Sequence, residues 1–321
     1  MQAGAVETFI VHSDLAKVLP FKQVDTVQIN TRRENTLPAT GWAARGVRFI
    51  DGGVPGFEYV TDSVYSLGGE YTIDKIDKMD KGPWVEEPLA RAIRTRIKSM
   101  AYNFHNMVIN GDHATEPDAP EGVKVRVNNM AAAQTVYANT STSQLDLRAG
   151  FITNALAYQF LDAIDNVRYA LDGRKADICL TDIDFIQAFK RSLRQIGNYV
   201  AAPGTPVTVA GARGTSAEPP NPQSIFEWDG TKYIDMGFKA DQTTKVVATT
   251  TVNSVACRPA YFLRMDEKEY FHALSMQDLT VSDPFMLDDG RSWRVVIDMI
   301  VGFRHVHPKS ISQLLGTYVV T

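Results

Sequence analysis

The 321-residue chain has little cysteine, no long apolar run and no visible targeting signal. Its two cysteines, Cys179 and Cys257, lie in apolar, strand-like runs, and a disulfide framework would need more pairs. We therefore expect two buried free thiols. No stretch approaches the roughly 20 apolar residues that cross a membrane, and the first residues lack the basic start and apolar core of a signal peptide. We expect the protein to be cytosolic where it is made.

Positive charge is also scarce. The chain has 33 lysines and arginines against 37 acidic residues, a formal net charge of -4, so it offers no basic field for sequence-independent DNA binding. The densest basic run, at residues 91–98, flanks an apolar stripe and predicts a solvated helix face. Walker, HExxH, GxSxG and paired CxxC motifs are all missing from the sequence. We therefore expect no enzymatic activity and no cofactor.

One group of residues favours a metal site weakly. His305 and His307 would point to one face of a strand, and Asp283, Asp288 and Asp289 are acidic candidates for further ligands. The surrounding alternation is also that of an ordinary strand, and the three acids lie in a turn-like stretch. Nothing in the spacing fixes a third ligand, so a polar strand face is the favoured interpretation.

A long helix is predicted over residues 85–110. Its apolar side chains recur at steps of three and four, which draws one stripe down a helix: Leu89, Ile93, Ile97, Met100, Phe104 and Met107. Two glutamates followed by Pro88 suit the first turn. Asn110-Gly111 predicts a left-handed stop. A stripe of this kind normally packs on a core.

Residues 24–80 predict a long β-hairpin. Phe57–Thr61 and Glu70–Asp74 alternate apolar and polar side chains, as does the segment around Ile29. The glycine-rich run GWAARGVRFIDGGVPG at 41–56 has few ways to pack and predicts the tip. Two strands alone are marginal in water, so such a hairpin needs another surface to lie on.

The remainder predicts an α+β arrangement. A helix is expected within about 150–170, then a buried strand at 176–180, then a helix with its N-cap at Thr181 or Asp182. Asp229-Gly230 predicts a two-residue hairpin turn, and strands follow towards the end of the chain.

The order of these segments resembles a known family. The long helix closes on INGD at 109–112, and a polar loop leads to PEGV at 120–123. YIDMGF follows at 233–238, and the chain ends on RVVIDMIVGFRHVHPKSISQLLGTYV at 294–319. From about residue 19 onwards this ordered set resembles the major capsid proteins of tailed phages, of the Hong Kong 97 type.

The resemblance implies an α+β Hong Kong 97-like capsid fold. Its expected parts are an N-terminal arm at 1–23, an extended β-hairpin or E-loop at 24–82, a P-domain with a long spine helix at 83–123 plus 273–304, and an A-domain at 124–272 plus 305–321. In that family, copies form pentamers and hexamers that close an icosahedral shell around packaged double-stranded DNA. The implied location is the virion, with assembly in the host cytoplasm.

The resemblance also implies partners and assembly residues. Other copies of the chain, a separate scaffolding protein, a portal and a decoration protein are the expected partners, and no membrane is. The assembly candidates are Ile93, Ile97 and Phe104 of the spine helix and Arg32, Arg33, Arg45 and Arg48 of the E-loop. Some members of the family link an E-loop lysine to a neighbour, but residues 32–62 contain no lysine, so covalent crosslinking is not expected.

Two alternatives remain at this point. A bacterial nanocompartment shell would share the fold but would enclose cargo instead of DNA. A metal-dependent hydrolase using His305 and His307 is the alternative from a different functional class.

Overall fold

The protein is described by a computed structural model that covers residues 2–36, 38–46, 48, 56–75, 88–130, 132–196, 226–288 and 290–319. Within these ranges the α-helices are α1 Gln2–His12, α2 Pro88–Asn110, α3 Val123–Asn128, α4 Asn154–Tyr169 and α5 Ile183–Gln195. Short 3-10 helices lie at Ala132–Gln134 and Asp172–Arg174. None of the described helices has the length and apolar character needed to cross a membrane.

The described strands form two larger sheets. They are β1 Phe21–Gln23, β2 Gln28–Thr36, β3 Gly56–Asp74, β4 Thr135–Tyr137, β5 Leu145–Asp146, β6 Ile178–Thr181, β7 Phe226–Trp228, β8 Thr231–Asp235, β9 Thr250–Val252, β10 Val255–Cys257, β11 Ala260–Leu263, β12 Phe271–Val281, β13 Phe285–Met286, β14 Ser292–His305, β15 Ile311–Leu315 and β16 Thr317–Tyr318. The first sheet has the order β1-β12-β14-β3-β2, with β13 on β14, and the second has the order β4-β15-β11-β6-β8-β7. β9 pairs with β10, and β5 pairs with β16.

Strand β3 changes partner halfway along its length. Its second half, from Val64 to Asp74, pairs with β14 inside the first sheet, whereas its first half, from Gly56 to Ser63, pairs with β2. The β2–β3 pair therefore projects from the sheet, and we call residues 28–63 the hairpin arm. The predicted hairpin is confirmed, but its two predicted return segments belong to one strand of 19 residues, about 60 Å long.

The Gly68-Gly69 pair explains why β3 continues without a turn. A Cβ atom on Gly68 would lie 2.6 Å from the carbonyl oxygen of Ile297, and one on Gly69 would lie 3.2 Å from the Arg96 side chain. The two glycines thus let β14 and α2 approach the strand closely.

Helix α2 begins at Pro88 in the described residues and ends at Asn110, as its spacing predicts. The two glutamates before Pro88 lie outside the described residues. Helix α1 packs beside α2, where the Ser13 hydroxyl lies 2.8 Å from Nε2 of the buried His105. Sequence analysis predicts an arm at this end of the chain but not its helix, because α1 is apolar nearly all round and shows no clear stripe.

The predicted left-handed stop after α2 is wrong. Gly111 is not among the glycines with positive φ. Its lack of a side chain serves packing instead, since a Cβ atom there would lie 2.2 Å from the carbonyl oxygen of Pro120. Gly122 closes the same loop, because its N–H donates to the carbonyl of Gly111 over 2.8 Å. The INGD and PEGV segments therefore meet through their glycines.

The second sheet has helices α4 and α5 on one face and the α2 core on the other. In β6, Ile178 and Leu180 join the apolar core of α2, while Cys179 joins that of α4 and α5. In β11, Leu263 and Phe262 divide in the same way. Alternating side chains of one strand therefore fill two cores, so β6 and β11 are buried along their whole length.

Several local predictions in this part are confirmed. Asp182 is the N-cap of α5, and its carboxylate accepts from the Ile183 N–H over 2.8 Å. Asp229 and Gly230 have φ values of 46° and 74°, as a two-residue turn with both central residues left-handed requires. Both cysteines are buried and free.

Candidate functional site

The three assembly candidates on α2 face the interior of the subunit. Ile97 and Phe104 are 1% and 0% exposed, and Ile93 is also buried. The Phe104 ring contacts three aromatic rings from elsewhere in the chain, with centroids 5.9 Å from Phe9, 6.2 Å from Phe21 and 5.9 Å from Phe303. These residues therefore hold α1, β1 and β14 together, and any part they have in assembly runs through the stability of the subunit.

The four arginine candidates on the hairpin arm are not brought together. Arg45 and Arg48 are exposed beyond the paired strands. The Arg32 guanidinium lies 3.3 Å from the ring centroid of Phe57 on the neighbouring strand. Only Arg33 turns towards the body of the subunit, where it is half-buried.

A buried polar cluster lies where the hairpin arm meets the body. We call it the arm-base cluster, and it contains Thr31, Arg33, Asp62, Arg126, Arg304 and His305. Arg126 on α3 forms an ion pair with Asp62 on β3, 2.9 Å between Nη2 and Oδ1, with side chains 6% and 1% exposed. Its guanidinium also donates to the carbonyl oxygens of Glu121 and Phe303, each over 3.0 Å. This arginine thus joins the hairpin arm, the loop after α2 and strand β14.

Three further bonds link β2 to the end of β14. Arg33 Nη2 lies 2.8 Å from Nδ1 of His305 and also donates to the carbonyl oxygen of the same residue. Arg304 Nε donates to the Thr31 hydroxyl over 3.0 Å. Gly302 permits the close approach, because a Cβ atom there would lie 2.5 Å from the carbonyl oxygen of Ser63, where β3 changes partner. The hairpin arm is therefore attached to the body of the subunit at the end of β14.

The arm-base cluster carries more positive than negative charge. Burial lowers the pKa of Arg33, while the nearby Asp62 acts in the opposite direction. Burial, followed by the positive charges of Arg33 and Arg126, lowers the pKa of His305 well below its ordinary value. At neutral pH the His305 ring is therefore uncharged, which suits its contact with a guanidinium.

The residues of the metal hypothesis do not converge. β14 ends at His305, so His307 lies in the following turn, where its Nδ1 accepts from the Lys309 N–H over 3.1 Å. Asp283 and Asp288 flank β13 at the other end of β14, about 40 Å away along the strand, and Asp289 lies outside the described residues. Among the residues that the structure describes, no group of three or more histidines, cysteines and acids could hold a metal. The premise that both histidines share one strand face is wrong.

A second ionic cluster braces the helical side of the molecule. Lys245 Nζ lies 2.7 Å from a carboxylate oxygen of Asp182 and 2.7 Å from one of Asp184. Arg258 completes the cluster, and it also donates to the carbonyl oxygen of Val247 over 3.1 Å. The two acids and two bases of this cluster balance in charge. Their ion pairs tie the start of α5 to the 245–258 segment.

Sequence reasoning missed Asp62 and Arg126, although a signal was present. Val60, Asp62 and Val64 share one face of β3, so the acid lies between two valines on an inward face. Arg126 likewise lies among valines in the short helix VKVRVN. A charged residue on an apolar face either forms a buried ion pair or extends its charged group into water. Only the position of a partner decides between these two cases.

Comparison with known proteins identifies the fold. No family model matches the sequence, and no curated protein matches it. Solved structures do match along nearly the whole chain. An encapsulin complex from Synechococcus elongatus has a TM-score of 0.56 at 14% identity, covering 96% of this chain and 88% of that one. The capsid of the myovirus phage XM1 has a TM-score of 0.57 at 13% identity, covering 91% and 86%.

Mycobacterium phage Bobi matches with a TM-score of 0.59 at 11% identity, over 94% of this chain and 90% of that one. The chain therefore has the Hong Kong 97-like capsid fold, as its sequence predicts.

Proposed function

We propose that this protein is the major capsid subunit of a tailed phage, which self-assembles into an icosahedral shell around packaged double-stranded DNA. The fold and its match to phage capsids support a shell-forming role. The single observation that carries the proposal is the hairpin arm. It projects from its sheet with Trp42 fully exposed and Tyr59 72% exposed, and a two-stranded ribbon of this kind is marginal unless another surface covers it.

The proposal divides the chain as the resemblance implies: an N-terminal arm at 1–23, an E-loop at 24–82, a P-domain at 83–123 plus 273–304, and an A-domain at 124–272 plus 305–321. Support comes from the sheets, since β14 pairs with the strand that carries the hairpin arm and β12 pairs with β14, while β15 pairs in the second sheet. The subunit then assembles in the host cytoplasm and ends in the virion. A scaffolding protein, a portal and a decoration protein are proposed partners.

Light scattering of purified protein tests the shell-forming role. We expect closed particles or capsomer rings, because identical copies that lay the same arm on the same neighbouring face repeat the contact by symmetry. Size-exclusion chromatography with light scattering and negative-stain images are the measurements. A species that stays near 35.6 kDa at every concentration would contradict the proposal.

A nanocompartment shell is the second candidate, and the encapsulin match favours it. The contents of particles isolated from their natural source separate the two functions. Nuclease-protected double-stranded DNA supports the capsid, whereas a protein cargo without DNA supports the nanocompartment.

Shortening the tip of the hairpin arm is expected to separate folding from assembly. Replacing residues 41–55 with a short glycine-serine turn removes side chains that are mostly exposed where they are described, Trp42 among them. The subunit should keep its circular dichroism spectrum and melting temperature, because none of the tip residues that the structure describes is buried, but it should form far fewer particles. Loss of the folded spectrum would show that the tip contributes to the core of the subunit.

A further inference from the structure

Asp62 is a buried acidic neighbour of Arg33 in the arm-base cluster, and its charge acts on the Arg33 guanidinium. Arg33 Nη2 binds His305, but Arg33 Nε has no partner and is buried. Asp62 binds Arg126 through Oδ1 and leaves Oδ2 buried without a partner. A free guanidinium N–H and a free carboxylate oxygen are complementary, and joining them would satisfy both atoms.

The two residues also share one face of the hairpin arm. Thr31 and Val60 are paired across β2 and β3, as are Arg33 with Glu58 and Ile29 with Asp62. Side chains at alternate positions point to the same side, so Arg33 and Asp62 both project towards α3 and the end of β14. The Arg33 side chain therefore stays on this face of the hairpin arm when its guanidinium moves from His305 to Asp62.

The chemistry of His305 determines which partner Arg33 can hold. Arg33 donates to Nδ1, so the neutral ring carries its proton on Nε2, which is buried without a partner. A second proton must go to Nδ1, where it removes the only acceptor on the ring. The bond to the backbone carbonyl of His305 would then be the sole remaining contact of Arg33 with this residue.

Charges around the ring make that protonation consequential. The charged groups that act on the ring are Arg33 from β2, Arg126 from α3 and His307 in the following turn, while Asp62 and Glu58 from β3 act on Arg33. Arg304 precedes His305 on β14. The nearest are cations, so an imidazolium would repel Arg33 and Arg126. Asp62 is the buried anion to which a displaced Arg33 can move.

We propose that Arg33 is a two-position latch, bound to His305 while that ring is neutral and to Asp62 once the ring is protonated, so that acid changes how the hairpin arm is held against β14. The direction follows from linkage. The ordinary histidine pKa is about 6.5 and burial holds the folded value well below it, so the first position persists through the ordinary pKa and is lost only as the pH falls through the lower, folded pKa. The inference concerns the single subunit and does not depend on shell assembly.

Hydrogen exchange of the dilute full-length chain tests the latch. Spectra are compared at about pH 7.5 and at steps down to about pH 4, because burial holds the folded His305 pKa well below the ordinary value of about 6.5, with correction for the intrinsic pH dependence of exchange. In peptides covering Gln28–Thr36 we expect amide exchange about tenfold faster at the lowest pH than at neutral pH. A tenfold change corresponds to one pKa unit of coupling between protonation of His305 and opening of the arm. Peptides of α4, far from the cluster in the fold, serve as the internal reference.

Two variants identify the groups. His305→Asn keeps an acceptor where Nδ1 lies but cannot take a proton, so its acid response should fall below about twofold. Asp62→Asn removes the second partner of Arg33 and also the charge that pairs with Arg126, so circular dichroism at neutral pH first checks its fold. Measured against its own neutral-pH exchange, its acid response should exceed that of the parent. If His305→Asn does not fold, as circular dichroism at neutral pH will show, His305→Gln takes its place.

Each result bears on the inference. No acid response in the arm of the parent would overturn it, and so would a full response in His305→Asn. A response in Asp62→Asn equal to that of the parent would remove the second position and with it the latch. An acid response of the arm that is lost in His305→Asn and is larger in Asp62→Asn than in the parent would support the inference.

Discussion

Replacing Ile97 with aspartate is expected to abolish the soluble, folded subunit. The side chain is 1% exposed in the middle of α2, with Met100 and Phe104 along the same stripe. The described side chains of the core cluster that contains Ile97 are apolar, so they offer a carboxylate no partner. Burying it should cost several kcal/mol, which is comparable to the whole stability of an ordinary domain. Soluble yield and thermal melting of the variant beside the parent are the measurements.

Arg91→Asp is the matched control for this substitution. It places the same carboxylate on the exposed side of the same helix, where water solvates it. The control should melt within a few degrees of the parent, since exposed substitutions usually change stability by about 0.5 kcal/mol or less. If Ile97→Asp melted like the control, α2 would not face a core and would not act as a spine.

Asp62→Ala is expected to produce the second large effect. Its carboxylate is the buried anion beside Arg126 and Arg33, so its removal leaves buried guanidinium groups without compensation. Breaking a buried pair from one side costs about 3–5 kcal/mol. Urea unfolding at neutral pH should show this loss as a lower midpoint with an unchanged slope.

The Asp62 prediction has two internal checks. Glu58→Ala removes an exposed acid from the same face of the same strand and should lower the free energy of unfolding by about 0.5 kcal/mol or less. The double variant Asp62→Ala/Arg126→Met removes both partners and should be more stable than Asp62→Ala alone, because no unpaired Arg126 remains. Equal stability of the single and double variants would mean that Arg126 does not depend on Asp62.

The sequence allowed the long helix, the hairpin and the turn at Asp229-Gly230 to be predicted because each depends on neighbours in the chain. A stripe with steps of three and four defines which side of α2 is buried, whatever covers it. The turn needs two residues that accept positive φ, and Asp229 and Gly230 supply them. The α+β class and the ordered resemblance to phage capsids follow from such segments taken together.

The candidate site was predicted much less well, since its members are far apart in the chain. Four arginines of the hairpin arm have the same chemistry in sequence, yet only Arg33 meets His305, 272 residues away. Asp62 and Arg126 were missed altogether, although each lies among valines on an inward face. Sequence spacing can show that a charge faces inward, but it cannot show which partner is there.

The sequence by itself therefore determined the elements of this protein: which segments form helices and strands, which faces are apolar and in what order they occur. Only the tertiary structure decided that Gly111 serves close packing, that β3 continues through Gly68-Gly69, and that Asp62, Arg126, Arg33 and His305 form one buried cluster. The physical reason is range. Backbone geometry and hydrophobic periodicity act between residues a few positions apart, whereas the burial of a charge and its pairing depend on segments that meet only when the whole chain has folded.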